Sequence, residues 1–234
     1  NYDSLIQWKG KIYHIQNSVD MTEYDKISET ARTDELTRML NRRGGSERLM
    51  RALEQGSREN QVVTVVLYDI NELKSVNDRY GHSEGDRLLQ YVAAIAKECL
   101  GRLDFMYRLS GDEFVMVFYG RDMKAADESM KRLLTRAGQE RKRQLQEYDV
   151  SFSYGIAEVC PGDMGSVEDI ISRADERMYI QKREYHIERA KRRLREKHED
   201  GDAPFYYDGG SLYEALSAST DDYIFVGNMK TGVF

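Results

Sequence analysis

The run Val62-Val63-Thr64-Val65-Val66-Leu67-Tyr68-Asp69-Ile70 limits more than any other segment what this chain can fold into. Its apolar residues are nearly continuous rather than alternating, the pattern of a strand buried on both faces. Asp69 sits at its end. A charged side chain closing a buried strand is costly unless it is paired or binds a metal.

The residues that follow are polar and include Lys74, Asn77 and Asp78. Tyr80-Gly81-His82 and Glu84-Gly85-Asp86 come next, then Leu88, Leu89, Val92, Ile95 and Ala96 at helical spacing. Residues 104–109 and 113–118 read as short strands, with Ser110-Gly111-Asp112 as the turn between them. Gly111 lets a backbone approach a ligand closely. Asp112 and Glu113 offer hard oxygen ligands suited to Mg²⁺. On that segment alone, an ordinary hairpin with solvated acidic residues is an equally good reading. Asp69 upstream shifts the balance toward a site.

Six motifs now resemble those of one family. Asp69-Ile70-Asn71-Glu72-Leu73-Lys74-Ser75-Val76-Asn77-Asp78 is similar to D-[IVL]-[DN]-x-[FL]-K-x-[IV]-N-D of the GGDEF domains, the diguanylate cyclase family. Gly81-His82 and Gly85-Asp86 match its G-H-x-x-G-D continuation. Ser110 to Phe114 resembles the signature, with Ser in place of the first Gly. Residues 34–43 resemble the D-x-L-T-x-L-x-N-R-R opening, Ser153 to Ala157 the S-x-G-[IV]-A strand, and Ala174 to Lys182 the A-D-x-x-[LM]-Y-x-x-K helix. Together they cover residues 33–186. The resemblance implies an α+β fold: a ferredoxin-like, palm-type central antiparallel sheet with surrounding helices, as in nucleotide cyclases.

Composition agrees with a globular chain: 234 residues, 40% hydrophobic and 32% charged. A net charge of −6 does not suit broad nucleic-acid binding. The basic residues between 191 and 197 are interleaved with acids and read as a solvated helical face. Cys99 and Cys160 form no metal or redox spacing and suit a reducing cytosol. No run has the length of a membrane span. A cytoplasmic location is expected, in a parent protein that could itself be membrane-attached. The first residue is Asn rather than Met, which points to an excised piece.

Residues 1–23, with a β-hairpin read from Ile6 to Val19 and then Asp20-Met21-Thr22-Glu23, resemble the end of a PAS sensor domain. Residues 24–32 read as a linker helix. Within the 33–186 domain, helices are expected at 35–55, 86–99 and 123–147, strands at 62–70 and 150–159, and a long helix capped by Ser166 with Asp169 three residues on. The helices are expected on one side of the sheet. Residues 187–210 read as a charged helical linker, and 211–234 resemble the start of a second PAS domain.

The resemblance implies condensation of two GTP molecules into cyclic di-GMP with loss of two pyrophosphates, in a multidomain bacterial signalling protein. The alternative is a catalytically weak GTP-binding module that regulates a neighbouring domain. It implies Mg²⁺ (or Mn²⁺) on Asp69, Asp112 and the Ile70 carbonyl, with Glu113 as a further metal ligand or a proton acceptor. Backbone N–H groups of Asn71, Glu72, Leu73 and Lys74 would hold the terminal phosphates, as a turn entering a helix can. Lys74 and Lys182 would add charge, and Ser110 and Gly111 would line the substrate. Asn77 and Asp86 would read guanine, although each alone could be a helix cap. For His82, and for Asp34, Asn41 and Arg42, structural roles are expected. Arg108 is either a phosphate or product contact or a cross-strand salt bridge. One domain holds one GTP, so turnover would need a homodimer.

Two departures from the family pattern bear on behaviour. His186 stands where many members place an Arg that reaches the phosphates. The family's inhibitory product site is an R-x-x-D motif. Asp104 occupies its Asp position, but Gly101 stands where the Arg belongs, and Arg102 is shifted by one. Loss of product inhibition is expected.

Overall fold

The computed structural model describes residues 2–8, 11–17, 31–143, 148–163 and 165–196. Strands β1 (Tyr2–Trp8) and β2 (Lys11–Asn17) pair antiparallel, with Trp8 opposite Lys11, as the hairpin reading anticipated. Residues 24–30 of the linker expected at 24–32, and the second sensor-like piece at 211–234, lie outside the described residues.

The central sheet has four strands in the order β4 (Phe105–Ser110), β5 (Glu113–Tyr119), β3 (Val63–Ile70), β6 (Phe152–Val159), all antiparallel. Every residue of β3 is buried. Successive side chains point to opposite faces. Val66, Tyr68 and Ile70 therefore join one core, covered by α2 (Leu73–Tyr80), α3 (His82–Glu98) and α4 (Met123–Arg143). Val63, Val65 and Leu67 join a second core, under α1 (Arg42–Glu59) and α5 (Val167–Glu196). The expectation of helices on one side is thus corrected. A strand with apolar residues on both faces, broken only by Thr64 and Asp69, must be covered on both sides, and burying each Leu- or Phe-sized side chain contributes about 1.5–3 kcal/mol.

Local contacts fix where these layers meet. Tyr68 stacks on Phe114 at 5.3 Å and tilts against Phe152 at 5.4 Å, tying three strands on the first face. On the second face α5 lies directly on β6 at Gly155. A Cβ there would fall 2.0 Å from the Ala174 carbonyl oxygen and 2.4 Å from the Met178 amide. Ser166 and Asp169 form the expected capping box: Asp169 N–H donates to Ser166 Oγ, and Ser166 N–H to Asp169 Oδ2, both at 3.1 Å.

The opening of the domain differs from the helix expected at 35–55. Residues 31–41 form a tight loop, bridged at Thr33 and Leu40, and α1 begins only at Arg42. Asn41 is its N-cap: its side chain accepts from the Gly44 N–H at 3.0 Å while its amide donates to the Ala31 and Thr33 carbonyls. The cap outweighs the helical spacing of Leu36 and Leu40. Helix α3 begins at His82 rather than 86, because Gly81, at φ +86°, separates it from α2.

Candidate active site

The parity of β3 decides where Asp69 points. It shares a face with Val65 and Leu67, so its side chain looks toward α5 rather than into the α2–α4 core. In register, Asp69 lies opposite Glu113 on β5 and Ser153 on β6. The end of the buried strand is thereby placed beside the acidic turn, which the sequence left 43 residues away. The Ile70 N–H donates to the Asp112 carbonyl at 3.2 Å and stitches the two together.

Asp69 is 4% exposed. Its Oδ2 accepts from Lys182 Nζ at 3.1 Å, while Oδ1 is buried without a hydrogen-bond partner. Burial and the nearby Asp112 carboxylate raise its pKa to about 6, against the pull of Lys182. An orphaned acceptor of that kind is destabilising unless something cationic binds it. Among the described residues, no group of three acidic, His or Cys side chains is placed to hold a metal ion. Two carboxylates and a carbonyl nonetheless fit Mg²⁺, which keeps part of its shell for waters and substrate phosphates.

The turn is narrower than expected: Ser110 still belongs to β4, leaving Gly111-Asp112 as a two-residue connection with a register shift between Arg108 and Ser110. Ser110 Oγ donates to Glu113 Oε2 at 2.5 Å. Arg108 donates through Nε and Nη2 to the Gly111 carbonyl, at 2.9 and 2.6 Å, and through Nη1 to Asp34 at 3.2 Å. Of the two readings of Arg108, the structure shows the salt bridge, made to the opening loop rather than across the strands.

The phosphate-binding set needs one correction. The Asn71 N–H donates to the Ser151 carbonyl at 3.0 Å, and its side chain is held by Ser151 and Ser153. Asn71 therefore locks the end of β3 to β6 and does not offer its amide to a ligand. Glu72, Leu73 and Lys74 remain at the start of α2. Glu72 is in the left-handed region at φ +66°, caps nothing with its side chain, and pairs with Arg189 of α5. Asn77 lies in α2 with Oδ1 against Gly85, where a Cβ would stand only 1.9 Å away. Asp86 follows Gly85, inside α3 rather than at its N-cap. The two base-reading candidates thus share the α2–α3 elbow, and Asp86 is no cap.

Gly101 and Asp104 form a closed cluster. The Asp104 carboxylate accepts from the Gly101 N–H at 2.7 Å, the Tyr119 N–H at 3.1 Å and Arg121 Nη2 at 2.9 Å. A Cβ on residue 101 would lie 2.7 Å from the Arg121 guanidinium. The sequence reading missed Arg121 as the partner of Asp104 and Arg189 as the partner of Glu72. Arg189 did leave a signal: it follows Lys182 by seven residues, on the same helical face.

With this geometry in view, the comparisons are specific. The family described as "Diguanylate cyclase, GGDEF domain" matches residues 31–188. The chain is 34% identical over 154 residues to the bifunctional diguanylate cyclase/cyclic di-GMP phosphodiesterase MucR of Pseudomonas aeruginosa, covering 66% of this chain and 22% of that one. It is 28% identical over 165 residues to the diguanylate cyclase DgcS of Shewanella oneidensis, covering 70% and 54%. The chain therefore spans between about a fifth and about half the length of these relatives. The crystal structure of the coiled coil and GGDEF domain of DgcB from Caulobacter crescentus, in complex with c-di-GMP, superposes with a TM-score of 0.64 at 26% identity, covering 70% of this chain and 86% of that one. The chain belongs to the GGDEF, or diguanylate cyclase, family.

Proposed function

We propose that this chain is a diguanylate cyclase that condenses two GTP molecules into cyclic di-GMP and two pyrophosphates. The observation that carries this reading is the buried, partnerless oxygen of Asp69 beside the Asp112–Glu113 turn. Each 3′-oxygen forms a bond to the α-phosphorus of the other GTP, and the bond from that phosphorus to pyrophosphate breaks. A divalent ion, Mg²⁺ or Mn²⁺, on Asp69, Asp112 and the Ile70 carbonyl would lower the pKa of the hydroxyl and offset charge on the phosphate. Glu113 takes the hydroxyl proton. Lys182 and Lys74 add positive charge for the phosphates, and the start of α2 directs backbone N–H groups at them. Asn77 and Asp86 select guanine because another base would leave their polar groups unpaired.

One domain presents one site, so the reaction needs two copies with their Gly111-Asp112 turns facing. The closed Gly101–Asp104–Arg121 cluster supports the further reading that cyclic di-GMP does not inhibit through that loop. The test is chromatography of products after incubation with GTP and Mg²⁺ at high protein concentration. Cyclic di-GMP formed by the wild type and lost in Asp112→Ala supports the cyclase. GTP binding without turnover, even when dimerisation is forced, would instead support a regulatory GTP-binding module.

A further inference from the structure

Helix α5 carries Lys182, His186 and Arg189 at spacings of four and three, so one face bears all three. That face lies along the segment joining β3 to α2: Lys182 pairs with Asp69, and Arg189 with Glu72. Seven helical residues span about 10 Å. The two cations therefore bracket the turn from Asp69 to Glu72, one at each end.

Glu72 is an unusual anchor for an arginine. It is one of three non-glycine residues among those described with positive φ, and it occupies the N-cap position of α2 without a side-chain cap hydrogen bond. A left-handed non-glycine residue is strained and persists where its surroundings hold it. The carboxylate places negative charge beside the positive end of the helix, where a phosphate group would also be stabilised. Arg189 and Glu72 remain partly accessible, at 21% and 18% of their side chains. They border a cleft of about 260 Å³ that also includes Arg79, Tyr185 and Arg192. The arginine can change partner without unpacking the core.

We propose that Arg189 is a triphosphate-binding residue that exchanges its partner Glu72 for the terminal phosphates when nucleotide binds. This rests on the reading of the site as a GTP site. Glu72 then acts as a placeholder: it competes with the nucleotide for Arg189 and keeps the guanidinium aimed at the head of α2. A purely structural ion pair makes a different forecast, because both partners would then matter equally to the same packing.

The test is calorimetric titration of the whole chain with a GTP analogue bearing a methylene bridge between its α- and β-phosphates, and in parallel with GMP. Arg189→Ala should weaken the triphosphate about tenfold or more, as expected for a lost charge-assisted contact, while changing GMP affinity less than threefold. Arg189→Lys should recover part of the loss. Glu72→Gln, which keeps the backbone N–H but removes the competing carboxylate, should raise triphosphate affinity. The proposal is overturned if Glu72→Gln and Arg189→Ala weaken the analogue equally, or if Arg189→Ala weakens GMP as much as the triphosphate. If wild-type protein binds neither nucleotide, the GTP-site reading itself has failed, and this assignment falls with it. Melting temperatures of the three variants separate loss of fold from loss of contact.

Discussion

Arg108 and Asp34 form a salt bridge, Nη1 to Oδ1 at 3.2 Å, that joins the loop opening the domain to the turn carrying Asp112. The same guanidinium holds the Gly111 carbonyl. Burial raises the pKa of Asp34, but hydrogen bonds from Thr37 and Arg108 more than offset it, so the group is held below its usual value. Arg108→Ala should therefore release the turn while leaving most of the core intact. We expect kcat to fall about ten- to a hundredfold, the scale of a misplaced reacting group, with a smaller change in GTP affinity. Steady-state kinetics beside calorimetry checks this. Unchanged kcat would remove Arg108 from any positioning role.

Asp69 should make the protein less stable without metal. Its carboxyl titrates at about 6 in the folded chain and near 4 in the unfolded chain. The folded state thus holds an extra proton on Asp69 between those values, and the contribution of this group to stability falls as pH rises from about 4 to about 6. In Asp69→Asn that slope should vanish, and the variant should be more stable by about 1–3 kcal/mol at pH 7.5 in chelator. Adding Mg²⁺ should stabilise the wild type and not the variant. Denaturant titrations at pH 4.5 and 7.5 provide the measurement. Equal stability of the two proteins at both pH values would contradict the account.

Gly85→Ala should disturb base reading. The added Cβ would lie 1.9 Å from Asn77 Oδ1, so the amide must swing away. GTP affinity should drop about tenfold and the preference for GTP over ATP should narrow, as expected when a polar pairing is lost. Because the obstacle is a movable side chain, the melting temperature should change little. Titration with both nucleotides decides the matter. Retained discrimination would place guanine recognition elsewhere.

Asp104→Ala should be a stability mutation rather than a regulatory one. It removes the acceptor for two backbone N–H groups and the partner of Arg121. The expected cost is about 2–4 kcal/mol. Cyclic di-GMP added to wild-type enzyme should not inhibit at concentrations where the variant is also unaffected. Inhibition of the wild type that is relieved in Asp104→Ala would show a working product site.

The sequence alone determined the central strand, the acidic turn and the capped start of α5. The nearly continuous apolar run of β3 demanded burial on both faces, and Ser166 with Asp169 announced a cap, because these are near-neighbour effects. Asp69, Asp112, Glu113 and Lys182 were legible as candidates because the motifs carry them. What only the tertiary structure decided is how those residues meet. Strand register sets Asp69 opposite Glu113, and side-chain parity turns it toward Lys182 on a helix more than a hundred residues away. Asn71 looked like a phosphate ligand until pairing with β6 assigned its amide to Ser151. Glu72–Arg189 and Asp104–Arg121 were hidden for the same reason. An ion pair between distant segments depends on where the layers pack, and side-chain type and local spacing do not encode that distance.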